Sequence, residues 1–330
     1  MKKTMISLAV LAIAGVAAAE AQTMQIALQH NGNITMFGSS QTQDALDQAE
    51  DGDTLFLNEG TFKSDIYIRK KVSIIGSGEN TILPGDVHVA IPDSAMLSSY
   101  LLDALYITGT VVVDSAVNGL KMRKCQLYAM TFNAKVDNSF VERCYIKQNV
   151  NQNDNLVGVS FYNSKIGYIR GHAKNTSSAV YTNCNINDIG SLCTSSNPRN
   201  YIYRASFQNC IVLNITKGDS FYIWGDTFNA TFNNCLSQSD NYKTTTNQNC
   251  YTYTKNDGDA DLLDSNIECS LPTDSLKERG YIGTDGTVVG IYGGSLPYTL
   301  APSMPRVTEH KIVVDADKKK LNVTLKVTAN

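Results

Sequence analysis

Between residues 122 and 237 the large apolar positions return in short groups of one shape. "MRKCQL" (122–127), "VERCYI" (141–146), "FYNSKI" (161–166), "YTNCNI" (181–186), "FQNCIV" (207–212) and "FNNCLS" (232–237) share a pattern. Each runs large apolar or aromatic, any residue, Asn/Lys/Arg, Cys/Ser, any residue, and an aliphatic in all but the last. The Cys/Ser positions lie 19, 20, 20, 26 and 25 residues apart. Nothing inside a group repeats at helical spacing, and a period of this length marks a stack of short β units.

Side-chain parity refines the picture. Residues an even number apart on one strand share a face, so Cys210 and Val212 point the same way. Phe207 stands an odd number from Val212, and both reach one core only if the alternation breaks between them. Asn209 sits at that break, and Asn is the side chain that most readily takes a left-handed conformation. Lys124 and Arg143, at the same position in two other groups, fit it less well. Each group is therefore predicted to be a bend joining two short strands, with about 20 to 25 residues closing a coil and coils stacking about 4.8 Å apart. The frames at 82–87 and 102–107 continue the 20-residue step upstream. The longer steps fall after Cys184, and the extra residues there must leave the coil as loops, where function concentrates.

The N-terminal third adds a resemblance. "TQDALDQAEDGDTLFLNEGTFKSDIYIRKKVSIIGSG" (42–78) reads as an amphipathic helix near 42–50, a Gly-Asp-Thr and aliphatic strand, a Gly-Thr-aromatic turn, and a strand ending in Ile-x-Gly. With the repeat, this resembles the pectin-lyase-like superfamily over residues 33–294. The resemblance implies an all-β fold, a right-handed parallel β-helix, with the helix covering the open end of the coil, where unpaired strand edges would template aggregation. Residues 280–305, rich in Gly and Pro, resemble the closing segment of exported bacterial β-helix proteins. The last stretch alternates around a polar turn at 315–319. It predicts a β-hairpin that sets Ile312 and Val314 against Leu321, Val323, Leu325 and Val327, and that either caps the coil or docks to a protein partner.

The first residues change the expected address. Lys2 and Lys3, an apolar run at 6–19 and Ala19-Glu20-Ala21 read as a cleaved export signal. The organisation expected is a signal peptide at 1–21, a β-helix domain at 22–294, and a linker with β-hairpin at 295–330. No later segment reads as a membrane span. The net charge is −3, with 28 basic and 31 acidic residues, so no cationic excess exists to hold nucleic acid. Eight cysteines in an exported chain invite disulfides. Yet Cys125, Cys144, Cys184, Cys210 and Cys235 are the repeat position itself, and Ser164 replaces Cys once. A ladder of small buried fillers is expected there. Cys193, Cys250 and Cys269 lie off the repeat and are the candidates for bonding.

Three constellations carry candidate chemistry. "NDGDADLLD" (256–264) offers Asp257, Asp259 and Asp261 as oxygen ligands for Ca²⁺, although no Glu closes the loop as in an EF-hand-like order. "YIRGHAKN" (168–175) puts Arg170, His172 and Lys174 on one face by alternation. The resemblance implies cleavage of acidic polysaccharide, by a Ca²⁺-assisted lyase with an Arg or Lys base, or by a hydrolase with paired acids. The hydrolases' Asn-Thr-Asp and paired-Asp motifs do not occur in the chain, so no hydrolytic set assembles. The third constellation is aromatic. "NYIYRASF" (200–207) and "SFYIWGDTF" (220–228) alternate so that Tyr201, Tyr203, Tyr222 and Trp224 lie opposite core positions. Arg204 and Asp226 stand close enough in sequence to bond sugar hydroxyls, and aromatic faces suit the flat sides of sugar rings. The leading expectation is an exported polysaccharide-binding β-helix without a recognisable catalytic set. A uronate lyase and a surface adhesin or structural protein are the alternatives.

Overall fold

A computed structural model describes residues 24–63, 65–92, 95–97, 99–153, 155–172, 178–190, 205–216, 230–238, 246–255, 257, 259–302, 306–315 and 320–328. The chain is a β-solenoid built from two long sheets and a short third one. Each coil lays one strand in the first sheet, turns a corner, lays one in the second sheet, and returns.

The first sheet stacks one inward column in strict register. Leu55, Ile74, Leu102, Met122, Val141, Phe161, Tyr181, Phe207 and Phe232 follow one another through successive parallel pairs. All are buried, which is the single column the repeat predicts. Its last four members are aromatic and stack face to face at ring separations of 4.8, 4.9 and 4.8 Å. The rung spacing of a parallel ladder forces like side chains into this contact, so a repeated aromatic position becomes a stack without further specification.

The corner after this column is left-handed throughout. Lys124, Arg143, Asn163, Asn183, Asn209, Asn234 and Asn249 have φ between 44° and 54°, and Ala104 joins them at 55°. The corner therefore forms even where Lys, Arg or Ala occupies it. The backbone N–H of every corner from Ala104, bonded to Arg123 O, to Asn234, bonded to Gln248 O, is paired to the next rung, so the ladder holds a conformation that Lys, Arg and Ala disfavour. The frame at 82–87 is a correction. Ile82 pairs with Tyr106 in the second sheet, while Ile74 is the residue that precedes Leu102 in the column. The 28-residue step hides this rung from a 20-residue frame.

The cysteines fill the next position. Cys125, Cys144, Cys184, Cys210 and Cys235 are buried and unbonded. Each Sγ points at the carbonyl two residues earlier, at 3.3 Å for Cys125 and Cys210, and Ser164 Oγ does the same at 2.8 Å to Tyr162 O. Burial pushes the Cys125, Cys210 and Cys235 thiols well above their ordinary range. Cys250 departs from expectation. It follows the left-handed Asn249, sits on the ladder beside Cys235, and is free, as is Cys269. The frame around it, "TNQNCYT" (246–252), has Asn247 in the apolar column position, which conceals it in sequence. Cys193 lies outside the described residues.

The end near the N-terminus is closed by two devices. The helix Thr42–Gln48 buries Ala45 and Leu46 over the coil, as the amphipathic pattern requires. In addition, Met24–His30 pairs antiparallel with both Asn33–Gly38 and Thr54–Leu57, a hairpin that covers the first parallel strand.

After the last rung the chain turns back. A short helix, Thr273–Glu278, leads into a Gly-rich segment that runs along the row of corners toward the start of the solenoid. The corner asparagines read its backbone. Asn234 Nδ2 donates to Ile282 O at 3.0 Å, Asn209 Oδ1 accepts from Thr284 N at 2.9 Å, and Asn163 Nδ2 donates to Ile291 O and Gly293 O at 3.0 and 2.7 Å. Leu300 and Pro302 lie against Gly78. This strap packs a second apolar cluster, including Ile211, Leu236, Leu262, Val288 and Val289, against the outer side of the second sheet. The C-terminal strands Arg306–Asp315 and Lys320–Thr328 form the expected antiparallel hairpin, with Ile312 opposite Val323 and Val314 opposite Leu321.

Candidate functional site

The second sheet widens in the middle of the molecule. Its strands Tyr106–Val113, Gln126–Phe132, Tyr145–Asn153 and Lys165–His172 are 8, 7, 9 and 8 residues long. Their inner positions Val111, Met130, Val150 and Ile169 continue the core. The alternate residues form an outward row. His88, Val112 and Thr131 are in register, Asn151 Nδ2 donates to Thr131 Oγ1 at 2.9 Å, and Asn151, Arg170, Gly190 and Thr216 continue the line. In this row the side chains of His88, Thr131, Asn151 and Arg170 are able to bond hydroxyls along the axis of the solenoid.

Two clusters punctuate it. Arg170 Nη1 lies 3.2 Å from Asp188 Oδ2, and the guanidinium lies 4.6 Å over the Tyr168 ring, so the cation is positioned from two sides. Toward the start of the solenoid, Tyr67 stacks on His88 at 4.5 Å and 12°. His88 Nδ1 donates to Asp114 Oδ2 at 2.6 Å, and Asn133 Nδ2 to Asp114 Oδ1 at 2.8 Å. Burial raises the Asp114 carboxyl, but the hydrogen bonds from His88 and Asn133 outweigh it and hold the group below its ordinary value of 3.8. Tyr67 remains 38% exposed and Tyr128 48%. Sequence reading missed Tyr67, His88 and Asp114. "IYI" and "VHV" alternate apolar, polar, apolar, and that pattern alone marks Tyr67 and His88 as outward neighbours once the strands are paired.

Residues 173–177, 191–204, 217–229 and 239–245 each lie between the end of a second-sheet strand and the start of a first-sheet strand. Earlier rungs use this connection for the short third sheet, Ala95–Met96, Val117–Asn118 and Val136–Asp137. Tyr201, Tyr203 and Arg204 belong to one of the later connections and Tyr222, Trp224 and Asp226 to the next, while Lys174 belongs to the one before. All seven residues lie outside the described residues. His172 ends its strand opposite Asn153, two positions beyond Arg170.

The aspartate candidates sit elsewhere, in the turn that leads into the strap. Asp257 and Asp261 are exposed and Asp259 is half-buried. Asp261 Oδ1 accepts from Lys255 Nζ at 2.8 Å, and Asp264 Oδ1 caps the N–H groups of Asn266 and Glu268. Among the described residues no group of three or more His, Cys, Asp or Glu is arranged to hold a metal ion. A Ca²⁺ ion at Asp261 would compete with Lys255 for Oδ1. No helix among the described residues is long and apolar enough to cross a membrane.

No protein-family model, no curated protein and no solved structure matches the chain.

Proposed function

We propose that the protein is an exported β-solenoid that binds polysaccharide along the outer face of its second sheet and the insertions that follow it, without acting chemically on the chain it holds. One observation carries the reading: His88, Thr131, Asn151 and Arg170 stand along one outward line of the second sheet, and two aromatic-rich segments follow later strands of that sheet in sequence. Rungs set about 4.8 Å apart match the repeat of an extended polymer within a small multiple, so each further rung adds contacts of the same kind. The apolar run at 6–19 supports export. The combination of end-covering helix, aliphatic column and left-handed corner supports kinship with pectin-lyase-like β-helices. A lyase reading has less support, because Asp261 is engaged by Lys255 and the Arg170 guanidinium by Asp188 and Tyr168.

A polysaccharide array probed with the wild type, Trp224→Ala and Arg170→Ala tests this. The wild type retains one class of glycan, and each variant binds it about tenfold more weakly, the scale of one stacking or charge-assisted contact. A glycan retained equally by all three proteins contradicts the proposed face. Release of unsaturated product from that glycan contradicts the non-catalytic part.

A further inference from the structure

The outer side of the first sheet carries a charged cluster that the proposed glycan face does not use. Asp103, Arg123 and Glu142 stand in register on three successive rungs, and Lys124 and Arg143 occupy the corners that follow two of them. Arg123 Nη2 donates to Asp103 Oδ2 at 2.7 Å, with its guanidinium 4.0 Å over the Tyr100 ring. Arg143 Nη2 donates to Glu142 Oε1 at 2.7 Å, and Tyr100 Oη donates to the same oxygen at 2.9 Å. Both carboxylates are thereby matched one to one with the arginines.

Lys124 is left over. Its side chain is 7% exposed as a whole, and among the described residues its ammonium has neither a carboxylate nor another hydrogen-bond acceptor. The charge count is three cations to two carboxylates. The hydrogen-bond count leans the same way: the buried Nε–H groups of Arg123 and Arg143 also lack acceptors among the described residues, against one orphaned acceptor, Asp103 Oδ1. The Lys124 ammonium nitrogen is not itself among the buried unpartnered atoms, so it reaches solvent at the edge of the cluster, where one more negative charge with acceptor oxygens can approach it. On the corners further along, asparagines meet the strap's backbone instead; at Lys124 and Arg143 the side chains are cations with no such partner.

We propose that Lys124, backed by Arg143 and Arg123, forms a binding site for a small oxyanion or for an oxyanion group on a larger ligand. A carboxylate, sulfate or phosphate supplies the missing charge and at least two acceptor oxygens in one group. The amine's environment agrees with the geometry. Burial first, then the Arg143 charge, pushes Lys124 below its ordinary range, and a bound anion removes that penalty.

Thermal unfolding of the full mature chain in sodium acetate, sulfate or phosphate, each against sodium chloride at equal ionic strength, tests the site. At least one oxyanion raises the wild-type Tm by about 2 °C over chloride, a shift that site-specific binding produces in a chain of this size. The largest response identifies the group. Lys124→Met abolishes the response and is itself more stable than the wild type in chloride. Equal responses of the two proteins, or no wild-type response to any of the three anions, overturns the proposal. Should Lys124→Met fail to fold, acetylation footprinting of the wild type replaces it. The effective oxyanion slows modification of Lys124 relative to the other lysines, and an unchanged rate overturns the site.

Discussion

Phe207 lies between Tyr181 and Phe232 at ring separations of 4.9 and 4.8 Å and has no exposed surface. Truncating it removes both contacts and leaves a cavity that a hydrogen-bonded ladder cannot collapse. Phe207→Ala is therefore expected to lose about 3–5 kcal/mol by chemical denaturation. The neighbouring thiol is a different case. Ser164 already occupies the ladder position of Cys210 and donates to the same relative carbonyl, so Cys210→Ser is expected to cost only about 1 kcal/mol. Asp114 sets a pH effect. Its folded pKa is lowered, so its contribution is present above the unfolded value of 3.8 and is lost as pH falls through the lower folded value. Asp114→Asn should flatten that acid limb of the stability profile, and an unchanged limb would remove the role assigned to the His88 and Asn133 hydrogen bonds. At this scale the sequence reading of the inward residues holds, because one column position recurs in the same local frame. Cys250 escaped it because polar Asn247 stands where the frame expects an aromatic.

The strap is the element that holds the corner row. Its Gly293 has no room for a side chain: an added Cβ would meet Val288 O at 1.9 Å and Asn183 Nδ2 at 2.6 Å. Gly290 adds a left-handed φ of 85° to a close approach of Asn185 Oδ1. Gly293→Ala is thus expected to lift the strap locally while the rungs stay stacked. Limited proteolysis should cut between 280 and 300 faster in the variant, with far-ultraviolet circular dichroism unchanged. Loss of the β signal along with the strap would show that the rungs depend on it. The glycines and prolines of this segment are plain in the sequence, but its path is not. The bonds that fix it join residues as far apart as Asn163 and Gly293, and no local pattern encodes a separation of 130 positions. The rung at Ile74 was obscured for a related reason, since its long spacing to Leu102 departs from the period that reveals the others.

Across the whole molecule, period and parity together imply one interior, and the uninterrupted column from Leu55 to Phe232 bears that out. The row from His88 to Thr216 was not legible in the same way. Outward positions carry no shared residue type, and their alignment follows only after every strand has found its partner. Insertions break the repeat, so their lengths reveal where they leave the coil and not what they do. The binding claim is tested most directly by the emission of Trp224, the chain's single tryptophan, during titration with polysaccharides of different charge and linkage. The account predicts a saturable change in emission with one class of glycan, weakened when Arg170 is replaced by Ala. An unperturbed spectrum with a glycan that binds by an independent method would contradict it.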